Sequence, residues 1–368
     1  MKHLTPIIDV TDKCNLTCRY CYSGSAHNNF ASRDKINQMF RSNIQLLFEF
    51  TDQVMAYNQN NPTIFIFHGG EPLLVTIENW DRVFTYFRKN KYPIEIDIQT
   101  NGILIHQDFI DLFKEFDVKL GVSLDGPKSL NDETRIFKSG KGSFSVIFRN
   151  LQKMKESEFK FGCLVTLNRA NMDMDGIYNF FKEYQIHFNV RPIFDHQYSV
   201  PEELLITSTE YASAICKLFD FWFDDQDSPS LIGDFNNMVA RFIEPIDRLT
   251  TCSFAKCCNE EFVAFDIQGD LWPCNCLPKN PFYYGNINEY SLDELLAFQK
   301  AEKLSTRWDK LLETDCKDCE VSNFCYGGCP SRAYYSHGSY FAKDPLCEAY
   351  RTILKHVYGK IETSFEDS

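Results

Sequence analysis

The sequence lacks an excess of basic residues, and it lacks any long apolar run. Its 38 Lys and Arg residues are outnumbered by 51 Asp and Glu residues, which gives a formal net charge of −13. A chain with no basic excess is poorly suited to bind DNA, tRNA or anionic membranes. No apolar run reaches the roughly 20 residues that span a bilayer, and residues 1–10 lack the cationic and apolar segments of a signal peptide. We therefore expect a cytoplasmic protein with neither nucleic acid nor membrane as partner.

Cysteine, in contrast, is abundant, with 15 residues. Disulfides do not persist in a reducing compartment, so clustered cysteines indicate metal or iron–sulfur ligation. Cys14, Cys18 and Cys21 have the spacing CxxxCxxC and follow the apolar stretch Leu4–Val10. Three thiolates on one loop can hold three irons of a [4Fe–4S] cluster and leave the fourth iron open. The alternative, a structural zinc loop, needs a fourth ligand and more often uses paired CxxC motifs.

Up to about residue 235, short β-branched runs alternate with longer helix-like stretches, which is typical of βα units and a parallel sheet. The predicted strands are Leu4–Val10, Thr63–Phe67, Ile94–Thr100, Val118–Leu124, Lys160–Leu167 and His187–Ile193. The predicted helices are Asp34–Tyr57, Ile77–Asn90, Gln107–Phe116, Phe144–Glu156 and Asp173–Tyr184. Six repeats are fewer than the eight of a closed barrel. We therefore expect an α/β fold with a partial (β/α)6 TIM-like barrel and its chemistry at the carboxyl ends of the strands.

Polar and glycine-rich segments follow four of these strands. The first strand leads into the cysteine loop, and residues 68–72, 100–102 and 123–127 follow the next three strands. Residues 68–72 read His-Gly-Gly-Glu-Pro, in which the glycines permit close approach to the backbone and Glu71 supplies charge. The alternative is an ordinary βα turn with proline at the start of a helix.

The composition changes near residue 230, where we place a domain boundary. Residues 1–230 are expected to form the barrel, and residues 231–368 a small cysteine-rich domain. A helix is predicted near Leu231–Leu249, and Glu261–Ile267 and Leu271–Cys274 flank a Gln-Gly-Asp turn that indicates a hairpin. The polar segment Ile361–Ser368 is expected to form a frayed end.

Taken together, the motifs are specific enough to identify a family resemblance. The cysteine loop carries the aromatic Tyr20 before its last cysteine, and a Gly-Gly-Glu-Pro segment follows the second strand. The C-terminal part has a Gly-x4-Cys segment at Gly269 and then a spaced series of cysteines: Cys316, Cys319, Cys325, Cys329 and Cys347. Over nearly its whole length the chain resembles a radical S-adenosylmethionine (SAM) enzyme with a C-terminal SPASM domain. The likeness is to the peptide-modifying branch that includes anaerobic sulfatase maturases.

The resemblance implies a SAM site around the cysteine loop. The open iron held by Cys14, Cys18 and Cys21 would chelate SAM, whose reductive cleavage yields a 5′-deoxyadenosyl radical. The residues implied to contact SAM are Tyr20, Gly69, Gly70, Glu71, Ser123, Arg135 and Arg191. For Arg135 the alternative is a solvated surface charge, and for Arg191, as for Asn101 and Asp125, it is structural capping.

The SPASM resemblance also implies two auxiliary clusters, and so three [4Fe–4S] clusters in all. Cys252, Cys258, Cys274 and Cys329 would hold the first auxiliary cluster, and Cys316, Cys319, Cys325 and Cys347 the second. Cys257 competes with its neighbour Cys258, and the role of Cys276 stays open. Cys163 and Cys216 are expected to be small buried hydrophobes.

For function, we favour a peptide or protein maturase that abstracts hydrogen from its substrate, for example to crosslink a ribosomally made peptide. The alternative is a sulfatase maturase that forms formylglycine. In that branch an Asp following the Gly-x4-Cys cysteine serves as base, whereas this chain has Asn275, and His68 replaces the family's Gln. An amide cannot accept a proton near neutral pH. A third hypothesis, from another class, is a non-enzymatic iron–sulfur or zinc protein. The expected partners of the enzyme are a peptide substrate and an electron donor such as flavodoxin or ferredoxin.

Overall fold

The computed structural model describes residues 3–23, 31–196, 198, 200–225, 227, 231–243, 252–301 and 304–366. Its strands are β1 (Thr5–Asp9), β2 (Thr63–His68), β3 (Ile94–Thr100), β4 (Lys119–Ser123), β5 (Phe161–Leu167), β6 (Phe188–Pro192), β7 (Phe262–Asp266), β8 (Asp270–Trp272) and β9 (Gly285–Asn286). The six strands predicted for the barrel are confirmed as β1 to β6, with each end either the same or different by one residue.

The helices of the described residues alternate with β1 to β6 and then cluster toward the C-terminus. They are α1 (Arg33–Tyr57), α2 (Ile77–Lys89), α3 (Gln107–Glu115), α4 (Lys128–Thr134), α5 (Phe144–Glu156), α6 (Met174–Glu183), α7 (Ser208–Asp224), α8 (Gly233–Ile243), α9 (Cys258–Glu261), α10 (Lys279–Phe282), α11 (Leu292–Ala301), α12 (Arg307–Glu313), α13 (Ser322–Cys325), α14 (Pro330–His337) and α15 (Cys347–Glu366). The five predicted barrel helices correspond to α1, α2, α3, α5 and α6.

The chain forms two compact units, each assembled from several segments. The first contains residues 1–123, 134–161 and 259–305, and the second contains residues 124–133, 162–258 and 306–368. Part of the C-terminal cysteine-rich region thus belongs to the same unit as the first four strands.

In the first unit the strand order is β4-β3-β2-β1-β7-β8-β9. β1 lies between β2 and β7 and is parallel to both, so that Asp9 is in register with His68 on one side and Asp266 on the other. The predicted hairpin is confirmed, because β7 and β8 are antiparallel. The ring of Phe50 on α1 stacks on Phe265 of β7, with centroids 4.0 Å apart, and this contact packs the longest helix against the hairpin.

In the second unit β5 and β6 pair in parallel, and α7 packs against α15. The prediction of a frayed end is wrong for the described part, because α15 continues to Glu366 and buries Ile361 on its inner face. Residues 367 and 368 lie outside the described residues. Of the helix predicted near Leu231–Leu249, α8 covers Gly233–Ile243, and residues 244–249 lie outside the described residues. Within the described part of the chain, no helix is both long and apolar enough to cross a bilayer.

Candidate active site

The cysteine loop directly follows β1 and is held by backbone hydrogen bonds. The N–H of Thr17 donates to the carbonyl of Ile136 at 2.8 Å, and the N–H of Arg19 donates to the carbonyl of Thr134 at 3.0 Å. The residue between these two carbonyls is Arg135. The same contact that fixes the loop therefore brings Arg135 beside the cysteines.

The three cysteines of this loop lie within electrostatic range of one another. Burial raises the pKa of the Cys14 thiol, and the neighbouring Glu71, Cys18 and Cys21 raise it further. All three side chains are half-buried. A group of three thiols fits a [4Fe–4S] cluster that keeps one iron open.

Gly69 and Gly70 pack against the backbone that leads into the cysteine loop. The N–H of Gly70 donates to the carbonyl of Thr11 at 2.6 Å. A Cβ atom at Gly70 would lie 2.1 Å from the carbonyl oxygen of Lys13, and one at Gly69 would lie 2.4 Å from that of Thr11. Both positions therefore require glycine, because any side chain would displace the start of the cysteine loop.

Glu71 is 1% exposed and joins the turn after β2 to the end of β3. Its carboxylate accepts hydrogen bonds from the Thr100 hydroxyl at 2.6 Å and the backbone N–H groups of Asn101 at 2.8 Å and Leu73 at 2.9 Å. Burial raises its pKa to about 7, while these hydrogen bonds oppose the shift. The carboxylate thus fixes the turn after β3 as well as contributing negative charge.

Arg135 is 6% exposed and lies over the cysteine loop. Its Nη1 is 3.8 Å from the Cys18 sulfur, and its guanidinium carbon is 5.4 Å from the centre of the Tyr20 ring. The surface-charge alternative is therefore excluded by burial. A guanidinium at this place can pair bidentately with a carboxylate.

Two further strand-end residues lie in the same unit. Asn101 donates through Nδ2 to Asn15 at 2.7 Å and to the Cys14 sulfur at 3.5 Å, so it contacts the cysteine loop directly. Ser123, at the end of β4, accepts a hydrogen bond from Gln99 at 3.3 Å. SAM contacts by Ser123, Tyr20 and Arg135 stay predictions.

Sequence reasoning missed a hydrogen-bonded chain that begins at Asn275. The amide Nδ2 of Asn275 donates to the Tyr22 hydroxyl at 3.1 Å, and that hydroxyl lies 3.4 Å from Nε2 of His68. The Nδ1 atom of His68 lies 3.3 Å from the carbonyl of Gly69, which can only accept, so Nδ1 carries the proton and Nε2 accepts from Tyr22. Asn275 and His68, the two departures from the sulfatase-maturase pattern, are thus joined through Tyr22.

Asp9 was also missed, although a carboxylate inside an otherwise apolar strand is a signal. It ends β1, and the side-chain amide of Asn275 is near enough to influence its pKa. Among the described residues, its Oδ1 atom is buried and has no hydrogen-bond partner. Burial raises the pKa of Asp9 to about 8, with Asp266 and Cys274 adding to the shift and Lys279 opposing it.

In the second unit, the four cysteines predicted for the second auxiliary cluster lie close together. Burial raises the pKa of the Cys316 and Cys325 thiols to about 11 in each case, and the neighbouring Cys347 and Cys319 add to both shifts. The donor set of four thiols fits a [4Fe–4S] cluster. Arg307 joins the loop after Cys325 to the loop before Cys347 by donating to two backbone carbonyls in each. These are the carbonyls of Tyr326, Gly327, Tyr340 and Ala342.

Asp344 connects the two loops that carry Cys329 and Cys347. Its carboxylate, which is fully buried, pairs with Arg332 at 2.6 Å and accepts from the backbone N–H of Cys329 at 2.7 Å and of Leu346 at 2.9 Å. Its own carbonyl accepts from the N–H of Cys347 at 2.9 Å. One acidic residue thereby fixes the backbone of two predicted cluster ligands.

The other predicted set remains a prediction. Cys274 belongs to the first unit, whereas Cys252, Cys258 and Cys329 belong to the second. No three His, Cys, Asp or Glu side chains of the described ranges are arranged to hold a single metal ion. A four-iron cluster is wider than one ion, so that finding concerns single-ion sites alone.

Arg191, predicted to contact SAM, ends up in an ion pair with Asp234 of α8 in the second unit. The two residues line a largely apolar pocket together with Tyr211, Phe254 and Tyr350. The pairing is a structural role for Arg191, and a SAM contact stays a prediction.

Family models match two parts of the chain. Residues 8–181 match the radical SAM superfamily, and residues 257–320 match SPASM, an iron–sulfur cluster-binding domain. The serine-type anaerobic sulfatase-maturating enzyme of Bacteroides thetaiotaomicron is 26% identical over 94% of this chain and 86% of its own length. The cysteine-type enzyme of Clostridium novyi is 28% identical over 98% of this chain and 97% of its own length.

Solved structures show the same fold. The structure described as native anSMEcpe with bound AdoMet and Cp18Cys peptide has a TM-score of 0.83 at 22% identity, and the similarity covers 99% of both chains. Streptococcus suis SuiB bound to precursor peptide SuiA has a TM-score of 0.64 at 15% identity, over 94% of this chain and 76% of SuiB. The α/β partial barrel with its SPASM domain is thus confirmed, and the non-enzymatic hypothesis is wrong. Its cysteine loop, its Gly-Gly-Glu-Pro turn and both family matches identify a radical SAM domain and a SPASM domain in this chain, which is therefore a radical SAM enzyme with a SPASM domain.

Proposed function

We propose that this enzyme oxidises a cysteine or serine side chain of a peptide or protein to an aldehyde of the formylglycine type. The observation that carries the proposal is the extent of the similarity. It covers 86% and 97% of the two sulfatase-maturating relatives and 94% and 98% of this chain, and so includes the cysteine-rich part of this chain as well as its barrel. This reverses the order of the two hypotheses that the sequence alone favoured.

The reaction removes two electrons and two hydrogens from the substrate side chain. When bound, SAM and its cluster supply a 5′-deoxyadenosyl radical that takes one hydrogen atom from the Cβ carbon. The proton on sulfur or oxygen passes to a base, and one electron passes to a one-electron acceptor, for which an auxiliary iron–sulfur cluster is the class we propose. Serine then yields the aldehyde directly. Cysteine yields a thioaldehyde, which water converts to the aldehyde with release of hydrogen sulfide.

Residues of the first unit would bind the SAM cluster and SAM itself. Cys14, Cys18 and Cys21 would hold the SAM cluster, and the Arg135 guanidinium is placed to pair with the SAM carboxylate. Glu71 and its glycine turn would bind the methionine amine of SAM. The proposal also includes two auxiliary clusters and an electron donor of the flavodoxin or ferredoxin type. A donor is needed because the reductive cleavage of SAM requires low-potential electrons.

A second candidate is crosslinking of a ribosomally made peptide, and Asn275 is the observation that favours it. Its amide cannot take the substrate proton that aldehyde formation releases. Both ends of the amide are already engaged, because Nδ2 donates to Tyr22 and Oδ1 accepts from the thiols of Cys274 and Cys276.

The two candidates can be separated with three peptides that differ only in Cys, Ser or Ala at one target position. The reconstituted enzyme is incubated without oxygen with dithionite, SAM and each peptide, and products are read by mass spectrometry together with 5′-deoxyadenosine. Aldehyde from the Cys or Ser peptide, and none from the Ala control, supports the proposal. Crosslinked peptide without aldehyde supports the second candidate, and 5′-deoxyadenosine with all peptides unmodified contradicts both.

A further inference from the structure

The carboxylate of Asp9 lies at the carboxyl end of β1, the strand that leads into the cysteine loop. Asp9 ends β1, and the cysteine loop begins five residues later. Strand ends of a βα barrel are where substrates bind. The side-chain amide of Asn275 lies close enough to oppose the rise of the Asp9 pKa, and the Asp9 Oδ1 atom, although buried, has no hydrogen-bond partner among the described residues.

A buried carboxylate oxygen without a partner requires an explanation, because nearly all buried polar atoms are hydrogen-bonded. The neighbouring polar groups are already engaged with one another. Asn275 donates to Tyr22, the Tyr22 proton points to Nε2 of His68, and Nδ1 of His68 donates to Gly69. None of these three described side chains donates a hydrogen bond to Asp9 Oδ1, which can therefore accept one from a further donor.

The chemistry of these groups excludes the other candidates as base. The Asn275 amide does not accept protons, and Nε2 of His68 is occupied by the Tyr22 hydroxyl. Burial also lowers the pKa of His68. The pKa of Asp9, in contrast, is raised to about 8 by burial, Asp266 and Cys274, against the opposing effects of Lys279 and Asn275. A base with a pKa near the working pH is effective in general-base catalysis.

We infer that Asp9 accepts the proton of the substrate thiol or hydroxyl during oxidation, with Asn275 and Tyr22 as positioning residues that orient its carboxylate. The inference rests on the proposed function and deepens it. The proton moves from the substrate sulfur or oxygen to Oδ1, the hydrogen atom goes to the 5′-deoxyadenosyl radical, and the remaining electron goes to an iron–sulfur acceptor.

The test compares the whole reconstituted enzyme with four variants, D9N, D9E, the exchange variant D9N/N275D, and D97N. Asp97 on β3 is the matched control, because burial raises the pKa of this strand carboxyl as well, to about 6. Each variant is measured for iron and sulfide content, SAM binding, and the ratio of aldehyde to 5′-deoxyadenosine. We expect D9N to keep iron and SAM binding while the ratio falls by at least about 100-fold. D97N and D9E should keep most of the wild-type ratio of aldehyde to 5′-deoxyadenosine. The exchange variant should recover this ratio, because N275D restores one carboxylate at position 275.

The outcomes separate this inference from the proposed function. If wild type forms aldehyde and D9N forms it with an unchanged ratio, Asp9 is not the acceptor and the proposed function stands. If D9N loses iron, the exchange variant D9N/N275D provides the test. Normal iron and SAM binding in the exchange variant without recovery of aldehyde would overturn the inference. If wild type oxidises neither the Cys nor the Ser peptide, the proposed function fails and the role of Asp9 fails with it.

Discussion

The side-chain amide of Asn275 donates a hydrogen bond to the Tyr22 hydroxyl at 3.1 Å, although 253 positions separate the two residues in the chain. Asn275 follows Cys274 in the cysteine-rich C-terminal region, and Tyr22 follows Cys21 of the cysteine loop. The bond therefore connects a side chain of the C-terminal region with a side chain of the cysteine loop, near Asp9 at the end of β1 and His68 at the end of β2.

Substitution of Gly70 by alanine should displace the cysteine loop, because the new Cβ would lie 2.1 Å from the Lys13 carbonyl oxygen. We expect the free energy of unfolding to fall by at least about 2 kcal/mol, as for overpacked sites, and SAM binding to weaken. Gly359→Ala is the control, since outside the adjacent turns of α15 no atom of the described residues lies within 4 Å of a Cβ added at this exposed position. It should stabilise by about 0.5–1 kcal/mol. Equal effects of the two substitutions in denaturant unfolding would contradict the steric argument.

Substitution of Arg135 by lysine should weaken SAM binding while leaving the fold intact. A lysine keeps the charge but loses the planar fork that pairs with a carboxylate. We expect the dissociation constant for SAM, measured by equilibrium binding to the reconstituted enzyme, to rise roughly tenfold to a hundredfold. Arg88→Lys is the control, because Arg88 forms an exposed pair with Glu115. An unchanged constant for Arg135→Lys would assign Arg135 a structural role only.

Replacing Asp344 by asparagine should leave the Arg332 charge buried without its carboxylate. Breaking a buried pair from one side costs about 3–5 kcal/mol of unfolding free energy. Because Asp344 also holds the backbone of Cys329 and Cys347, iron content should drop as well. Glu115→Gln removes an exposed pair and should change stability by less than about 1 kcal/mol. Normal iron content in Asp344→Asn would show that the loops keep their positions without it.

Iron analysis tests the second auxiliary set directly. Replacing Cys325 by alanine should lower the iron bound per chain by about four atoms, the content of one [4Fe–4S] cluster. Cys163→Ala, in contrast, should leave iron unchanged, because Cys163 lies buried within β5. The measurement is colorimetric iron and sulfide with electron paramagnetic resonance of the reduced protein. Equal iron in the two variants would contradict the assignment.

The Asp9 carboxyl should make the folded protein less stable as pH rises. Its pKa is about 8 in the folded protein against an ordinary 3.8, so the folded state holds an extra proton between these values. The stabilisation is complete below pH 3.8 and is lost as pH rises through about 8. The charged groups around it are Asp266, Cys274 and Lys279, with Tyr22 alongside. Between pH 6 and 9, wild type should lose about 3 kcal/mol that D9N does not lose. Parallel pH profiles of the two proteins in anaerobic denaturant titrations would contradict the buried titration.

Much of the fold could be predicted because its signals are short-range. The strand ends Asp9, His68 and Ser123 lie where the apolar runs stop, and the hairpin of β7 and β8 follows from Gly269 in its turn. The failure at Ile361 has the opposite cause. Its segment is polar by composition, but the helix is stabilised by one buried face, which only packing reveals.

The sequence by itself determined the chemistry of the radical. The spacing of Cys14, Cys18 and Cys21, and a glycine pair before Glu71, are local features, because neighbouring residues in a loop must meet one cofactor. Tertiary structure decided that β7 lies beside β1, that Asn275 bonds to Tyr22, and that one Asp9 oxygen has no hydrogen-bond partner among the described residues. Strand pairing and side-chain contacts over more than 200 residues depend on how the whole unit packs, and no periodicity within the chain encodes them.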